Sequence, residues 1–219
     1  MTAPGPGEQL ELLPDPAVPA ALEELRARAA GCTRCELHLE GTQTVFGVGR
    51  AGAALVLIGE QPGDSEDRAG EPFVGPAGRL LDRALGEAGV ERADAYVTNA
   101  VKHFRHRVEG KRRIHRTPGV EHVRACLPWL EGELAAVRPQ LLVTLGATAA
   151  KALLGSSFRL TAHRGELLEW RAHPLIATLH PSAVLRARDD EAREESFRGL
   201  VDDLALAGRT AAELRAAAG

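Results

Sequence analysis

Short apolar runs alternate with longer stretches of helical spacing along this chain of 219 residues. Ala54–Ile58, Tyr96–Val101, Leu141–Leu145 and Leu175–Leu179 are mostly apolar and bounded by turn formers, the pattern of strands buried on both faces. Between them the period lengthens, and helices are predicted over Ala20–Ala30, Ala77–Ala88, Val120–Val137, Ala147–Leu154 and Glu191–Leu206. Leu80, Leu81, Ala84 and Leu85 share one face of the second, and Gly31 and Gly89 stop the first two. Strands alternating with helices predict a three-layer α/β/α fold around a mostly parallel, four-stranded sheet. One domain is expected over 19–210, with a flexible proline-rich leader at 1–18 and a C-terminal tail at 211–219. In such folds ligands bind beyond the carboxyl ends of the strands. Four polar or Gly-rich segments begin there: Gly59–Asp67, Asn99–His103, Gly146–Thr148 and His180–Ser182.

Composition narrows the class. Hydrophobic residues at 44% and charged residues at 26% exclude wholesale disorder. The longest apolar run, Leu141–Ala150, is about half the roughly 20 residues of a membrane span. The N-terminus shows no basic segment followed by an apolar core, so no secretory signal is expected. Three cysteines are too few, and odd in number, for a disulfide framework. A soluble, cytoplasmic monomer without a membrane partner is expected. The net charge of −3 argues against a general nucleic-acid binder, but Lys102–Arg116 carries seven Lys/Arg against one Glu, leaving the remainder at −9. A basic stretch on an acidic body suggests a focused anion site; a solvated surface loop is the plainer alternative.

Two local patterns need separating. Gly47–Gly52 satisfies G-x-G-x-x-G but precedes the first strand, whereas a dinucleotide fingerprint lies between strand and helix; it reads as a turn. Cys32-Thr33-Arg34-Cys35 is a C-x2-C pair, with Cys126 further along and His103 in the basic stretch as a plausible fourth ligand. The strand-to-helix setting of a redox pair is absent. Spacing does not separate zinc from iron–sulfur, and Cys126 also suits a buried apolar position.

Taken together, Gly59-Glu60-Gln61-Pro62-Gly63-Asp64, Phe73-Val74-Gly75-Pro76-Ala77-Gly78, Thr98-Asn99-Ala100-Val101-Lys102-His103 and His180-Pro181-Ser182 resemble the uracil-DNA glycosylase superfamily, nearest its iron–sulfur branch. Lys111-Arg112-Arg113-Ile114-His115 narrows the resemblance to UdgX proteins, which become covalently joined to uracil-containing DNA. The resemblance covers about residues 30–205. It implies a 4Fe–4S cluster on Cys32, Cys35, His103 and Cys126, and uracil-containing DNA, single-stranded for preference, as partner.

The resemblance also implies roles. A flipped uracil is bound by Gly59, Gln61, Phe73, Asn99 and His180. Phe73 stacks on the base. The Asn99 amide matches the N3–H and O4 of uracil but not the 4-amino group of cytosine. His180 donates to O2 of the departing anion. Gln61, after Glu60, cannot act as a base. His115 attacks C1′ in place of water, with Glu60 orienting it and accepting its proton, and Asp64 as a possible water-orienting group. Lys111, Arg112, Arg113 and Ser182 contact DNA, Arg113 also ordering the loop. Leu185, or Val184, is the wedge that fills the vacated stack. Two rivals stay open: a multiple-turnover glycosylase using water held by Glu60 or Asp64, and a catalytically silent DNA-binding module with a structural metal.

Overall fold

The computed structural model describes residues 17–217. All but the last two residues of the expected leader lie outside the described residues, as do positions 218 and 219. In chain order the strands are β1 (Leu55–Gly59), β2 (Ala95–Asn99), β3 (His106–Glu109), β4 (Arg112–His115), β5 (Leu141–Leu145), β6 (Leu167–Trp170) and β7 (His173–Thr178). The helices are α1 (Ala17–Ala30), α2 (Leu37–Glu40), α3 (Asp64–Ala69), α4 (Pro76–Glu87), α5 (Val120–Val137), α6 (Ala147–Leu154), α7 (Leu160–His163), α8 (Pro181–Leu185) and α9 (Asp190–Ala217).

The main sheet has the order β2-β1-β5-β7-β6. The four expected strands are parallel, and β6 adds a fifth, antiparallel to β7. The expected four-stranded sheet is therefore one edge strand short. Side chains leave each central strand alternately. Leu55, Leu57, Val97, Leu141, Val143 and Ile176 pack on one face with Leu81 and Leu85 of α4 and Phe197, Leu200 and Leu204 of α9. Val56, Ile58, Tyr96, Leu142 and Leu175 pack on the other with Leu130, Leu134 and Val137 of α5 and Leu153 of α6. This is the three-layer α/β/α arrangement.

Two further expectations need correction. The basic stretch is not a loop but a two-stranded antiparallel hairpin, with His106 opposite His115 and a turn at Gly110, where φ is 60°. The tail expected from 211 is the continuation of α9, held because Ala207 and Ala211 are buried in the core. The Gly47–Gly52 segment is a turn before β1, as read, tied to β2 through the Val48–Val97 bridge.

The order places a switch point between β1 and β5. The chain leaves β1 for β2 on one side, then returns to lay β5 on the other, opening a crevice at their carboxyl ends. The loop before α4 brings Phe73 there in a left-handed conformation, φ 59°, at a cost of about 1–2 kcal/mol. A Cβ added at Gly78, on the first turn of α4, would collide with the Phe73 carbonyl group. Gly→Ala within a helix ordinarily stabilises by about 0.5–1 kcal/mol. At Gly78→Ala the sign should reverse, to a loss of about 2 kcal/mol on denaturant unfolding; a gain would mean that the Phe73 loop yields freely.

Candidate active site

The crevice is a cavity of about 700 Å³. The end of β1 contributes Glu60 and Gln61, the end of β2 Asn99, the start of α6 Thr148, and α8 His180, Ser182 and Arg186. Phe73 and His115 complete the wall. Gly59 pairs with Asn99 across the strand ends, and a Cβ at Gly59 would sit 2.7 Å from Cζ of Phe73. The glycine therefore lets the aromatic ring and the amide close over the cavity floor. Asn99 is buried at the end of β2, and Glu66 holds the Phe73 loop by accepting from the Gly75 N–H at 2.8 Å.

His115 rides on the hairpin, which three anchors fix. The Gln61 amide donates to the carbonyls of Arg105 and Arg116, both at 3.1 Å, and accepts from the Arg105 N–H at 3.1 Å. Its side chain is thus spent on the hairpin stem, and what Gln61 offers the cavity is main chain. Phe104, buried beneath the ribbon, stacks on His106 at 4.9 Å and lies 6.2 Å from the His115 ring. Arg113 reaches back to α3: its Nη1 donates to Asp67 at 2.6 Å, and its Nε pairs with Asp64. Asp67 is fully buried and also accepts from the Thr42 N–H at 2.9 Å. Lys111 and Arg112 are exposed.

Charge is arranged around the imidazoles. His115 is half exposed, with Nε2 3.7 Å from Oε1 of Glu60; that oxygen is buried without a hydrogen-bond partner. Burial pushes the Glu60 carboxyl above its ordinary range, against the pull of the Thr148 hydroxyl and Arg186. Burial, then Arg186, lowers the His115 imidazole. The same two causes and His115 push His180 down to about 4. His180 Nδ1 accepts the Ser182 N–H at 3.0 Å and lies 2.7 Å from its hydroxyl. A backbone N–H can only donate, so in the neutral ring the proton is on Nε2. His180 is thus a neutral donor in the cavity.

The other expected residues divide clearly. Asp64 does not line the cavity; hydrogen bonds from Arg68 and Arg113 hold its carboxylate below the ordinary range. Arg113, expected both on DNA and as a loop-ordering contact through an acidic partner, pairs with Asp64 and Asp67, and Ser182 fixes His180. Of the two residues expected as a wedge, Val184 is fully buried while Leu185 is 41% exposed. Thr148, Glu66 and Arg186 were missed. Thr148 stood in a segment marked only by its strand end, and nothing in the local pattern sets Arg186 or Glu66 apart from surface charge.

The thiols gather away from the cavity. Cys35 and Cys126 pack with Leu37, Val101 and Val123. Cys32 accepts the Trp129 indole N–H at 3.2 Å, and Cys126 the Lys102 N–H at 3.5 Å. A Glu36–His122 pair at 2.7 Å ties the C-x2-C loop to α5. His103 is buried, with Nε2 on Thr44 at 3.0 Å and Nδ1 without a partner. Burial pushes the Cys126 thiol up to about 11. Among the described residues no three His, Cys, Asp or Glu side chains converge to hold a single metal ion. A cluster several ångströms across accepts a wider ligand set. Sulfurs that already accept N–H donors, and an orphaned imidazole nitrogen, fit that chemistry.

A family model described as the uracil DNA glycosylase superfamily matches residues 46–205. The chain is similar to the type-4 uracil-DNA glycosylase of Thermotoga maritima, 38% identical over 78% of this chain and 87% of the relative. It is similar to that of Pyrobaculum aerophilum, 38% identical over 75% and 85%, and to that of Archaeoglobus fulgidus, 35% identical over 81% and 90%. No described helix is long and apolar enough to cross a membrane.

Removing Arg113 strands the buried Asp67 carboxylate. Arg113→Ala should cost about 3 kcal/mol in denaturant unfolding. Lys111→Ala and Arg112→Ala, at exposed positions, should change stability by less than about 0.5 kcal/mol.

Proposed function

The chain belongs to the uracil-DNA glycosylase superfamily, and from that premise we propose that it excises uracil from DNA and captures the resulting sugar on His115. One observation carries the reading: an unpartnered, buried carboxylate oxygen of Glu60 lies 3.7 Å from His115 Nε2, inside the cavity that holds Phe73, Asn99 and His180. Phe73 stacks on the flipped base, and Asn99 reads its N3–H and O4. As the N1–C1′ bond breaks, its electron pair leaves on uracil, and the Nε2–H of His180 donates to O2 of the developing anion. A neutral imidazole nitrogen of His115 then gives its lone pair to C1′. Glu60 stabilises the imidazolium so formed, which loses its remaining ring proton to solvent, while the uracil anion takes one up. The product imidazole is a poor leaving group, so each protein molecule reacts once. Lys111 and Arg112 hold phosphates, and Leu185 fills the gap in the stack.

A second reading keeps the same pocket with ordinary turnover, since the free Glu60 oxygen also suits a water. Incubation with uracil-containing single-stranded DNA and a denaturing gel separates the two. Capture gives a heat-stable, slower band saturating at one DNA per protein, absent in His115→Gly; free abasic DNA without a shifted band rejects capture.

The reaction needs His115 neutral, and its pKa is lowered. The capture rate should therefore stay flat on acidification through about pH 6.5, the ordinary imidazole value, and fall only below it. A fall beginning above pH 7 would contradict the assignment.

Cys32, Cys35, His103 and Cys126 are the proposed ligands of a 4Fe–4S cluster, whose contribution is to brace the C-x2-C loop, the segment after β2 and α5 against one another. The purified protein should be brown, with broad visible absorption bleached by reduction or chelation. Colourless protein with one zinc per chain would overturn the choice of metal.

A further inference from the structure

Behind the cavity floor lies a charge pair that the proposed chemistry does not use. The side chains of Lys102 and Glu133 are 1% and 0% exposed, with Nζ and Oε2 2.5 Å apart. Nζ also donates to Thr98 Oγ1 at 2.6 Å and to the main-chain carbonyl of Asn99 at 2.8 Å. Glu133 is saturated in turn. Its Oε1 accepts from the Gly47 N–H at 2.8 Å and from the Tyr96 hydroxyl at 3.0 Å, and Thr98 donates its hydroxyl proton to the same carboxylate. Just beyond Asn99, the N–H groups of Ala100 and Val101 donate to the carbonyls of Gly59 and Glu60 at 2.9 and 3.0 Å. The peptide at the end of β2 is thus held from both sides.

Such a pair is costly to bury, and apolar residues of similar volume are often as stabilising. What it provides here is position. The lysine folds back three residues to grip the carbonyl of the residue whose side-chain amide faces the cavity. We propose that Lys102, with Glu133, is a positioning residue for base specificity. Through the Asn99 carbonyl it holds the amide in the register that accepts uracil and leaves cytosine with an unmatched donor. This rests on the uracil reading above. A displacement on the order of 1 Å at such a contact costs about a hundredfold, and polar mismatch is the strongest source of discrimination a pocket has.

The test replaces the pair without stranding a charge, using Lys102→Met/Glu133→Leu in the full chain. Single-turnover release of base is measured on matched oligonucleotides holding one uracil or one cytosine. The maximal rate on uracil should change less than threefold, the half-saturating DNA concentration should rise, and the uracil-to-cytosine ratio should fall at least tenfold. An unchanged ratio, or an equal loss on both substrates, overturns the proposal and leaves the pair structural. If the double variant shows no cooperative thermal transition, Lys102→Met/Glu133→Gln carries the test, since it removes the grip on the Asn99 carbonyl while a neutral amide oxygen still accepts from Gly47 and Tyr96; an unchanged ratio there is equally decisive against the proposal. Failure of the unsubstituted protein to release uracil would overturn the functional reading itself, and that control reports it separately.

Discussion

The placement of His115 depends on the ion pair between Arg113 and the buried Asp67. A two-stranded ribbon is marginal in water without a third partner, and this one is largely exposed and carries like charges. Its inner face has the Phe104 ring and its stem the Gln61 amide, while Arg113 reaches from the strand of His115 into the body of the domain. Asp67 has no exposure, so its negative charge must find a partner. The Thr42 amide supplies one N–H and the guanidinium supplies the charge. The placement of His115 is therefore coupled to a desolvated carboxylate that cannot release the hairpin without its charge being left unpaired. That strand has two jobs: Arg113 anchors it and His115, two residues on, meets the cavity.

Within the cavity, charge is balanced to keep two imidazoles neutral beside a carboxylate. Burial disfavours the imidazolium at His115 and His180, and Arg186 acts in the same direction on both. The same cation opposes burial at Glu60. One arginine at the mouth thus favours the three protonation states that the proposed reaction needs. The neutral rings nevertheless have different duties. Ser182 takes the lone pair of His180 Nδ1 and so commits its Nε2 to donation. His115 has no such backbone donor, and its nearest polar neighbour is an acceptor.

The sequence made much of this legible, for reasons that can be traced residue by residue. The four parallel strands were readable because each is buried on both faces over most of its length and is therefore mostly apolar. The range of α5 was read to the residue despite Pro128, because its apolar period never breaks. β6 was missed. It is a four-residue edge strand with alternating burial, joined to β7 by Arg171 and Ala172, both left-handed at φ 47° and 63° without a glycine or asparagine to announce the turn. The hairpin was hidden by its charges, although Gly110 stands where a two-residue turn needs it. The last helix, expected to end at Leu206, runs on to Ala217 because Ala207 and Ala211 are buried in the core. The cavity residues came from motifs, but their supports are long-range. Gln61 to Arg116 and Asp67 to Arg113 are separated by 55 and 46 positions, and nothing local marks either pairing.

The proposed capture is a race for an electron-poor carbon, and the structure bears on who wins. Water is abundant at about 55 M, but an aligned group held in contact reaches effective molarities of about 10⁵–10⁸ M. A ring carried on an anchored strand, with Phe104 6.2 Å away and Glu60 3.7 Å from its Nε2, has less freedom to lose at the transition state than a solvent nucleophile. The proposed product is also terminal. Reversal would require the alkylated imidazole, once neutral, to leave against C1′, and a neutral N-alkyl imidazole is a poor leaving group. In the proposed reaction, fast attack and slow release have one source, an imidazole on an anchored strand with Glu60 beside its Nε2.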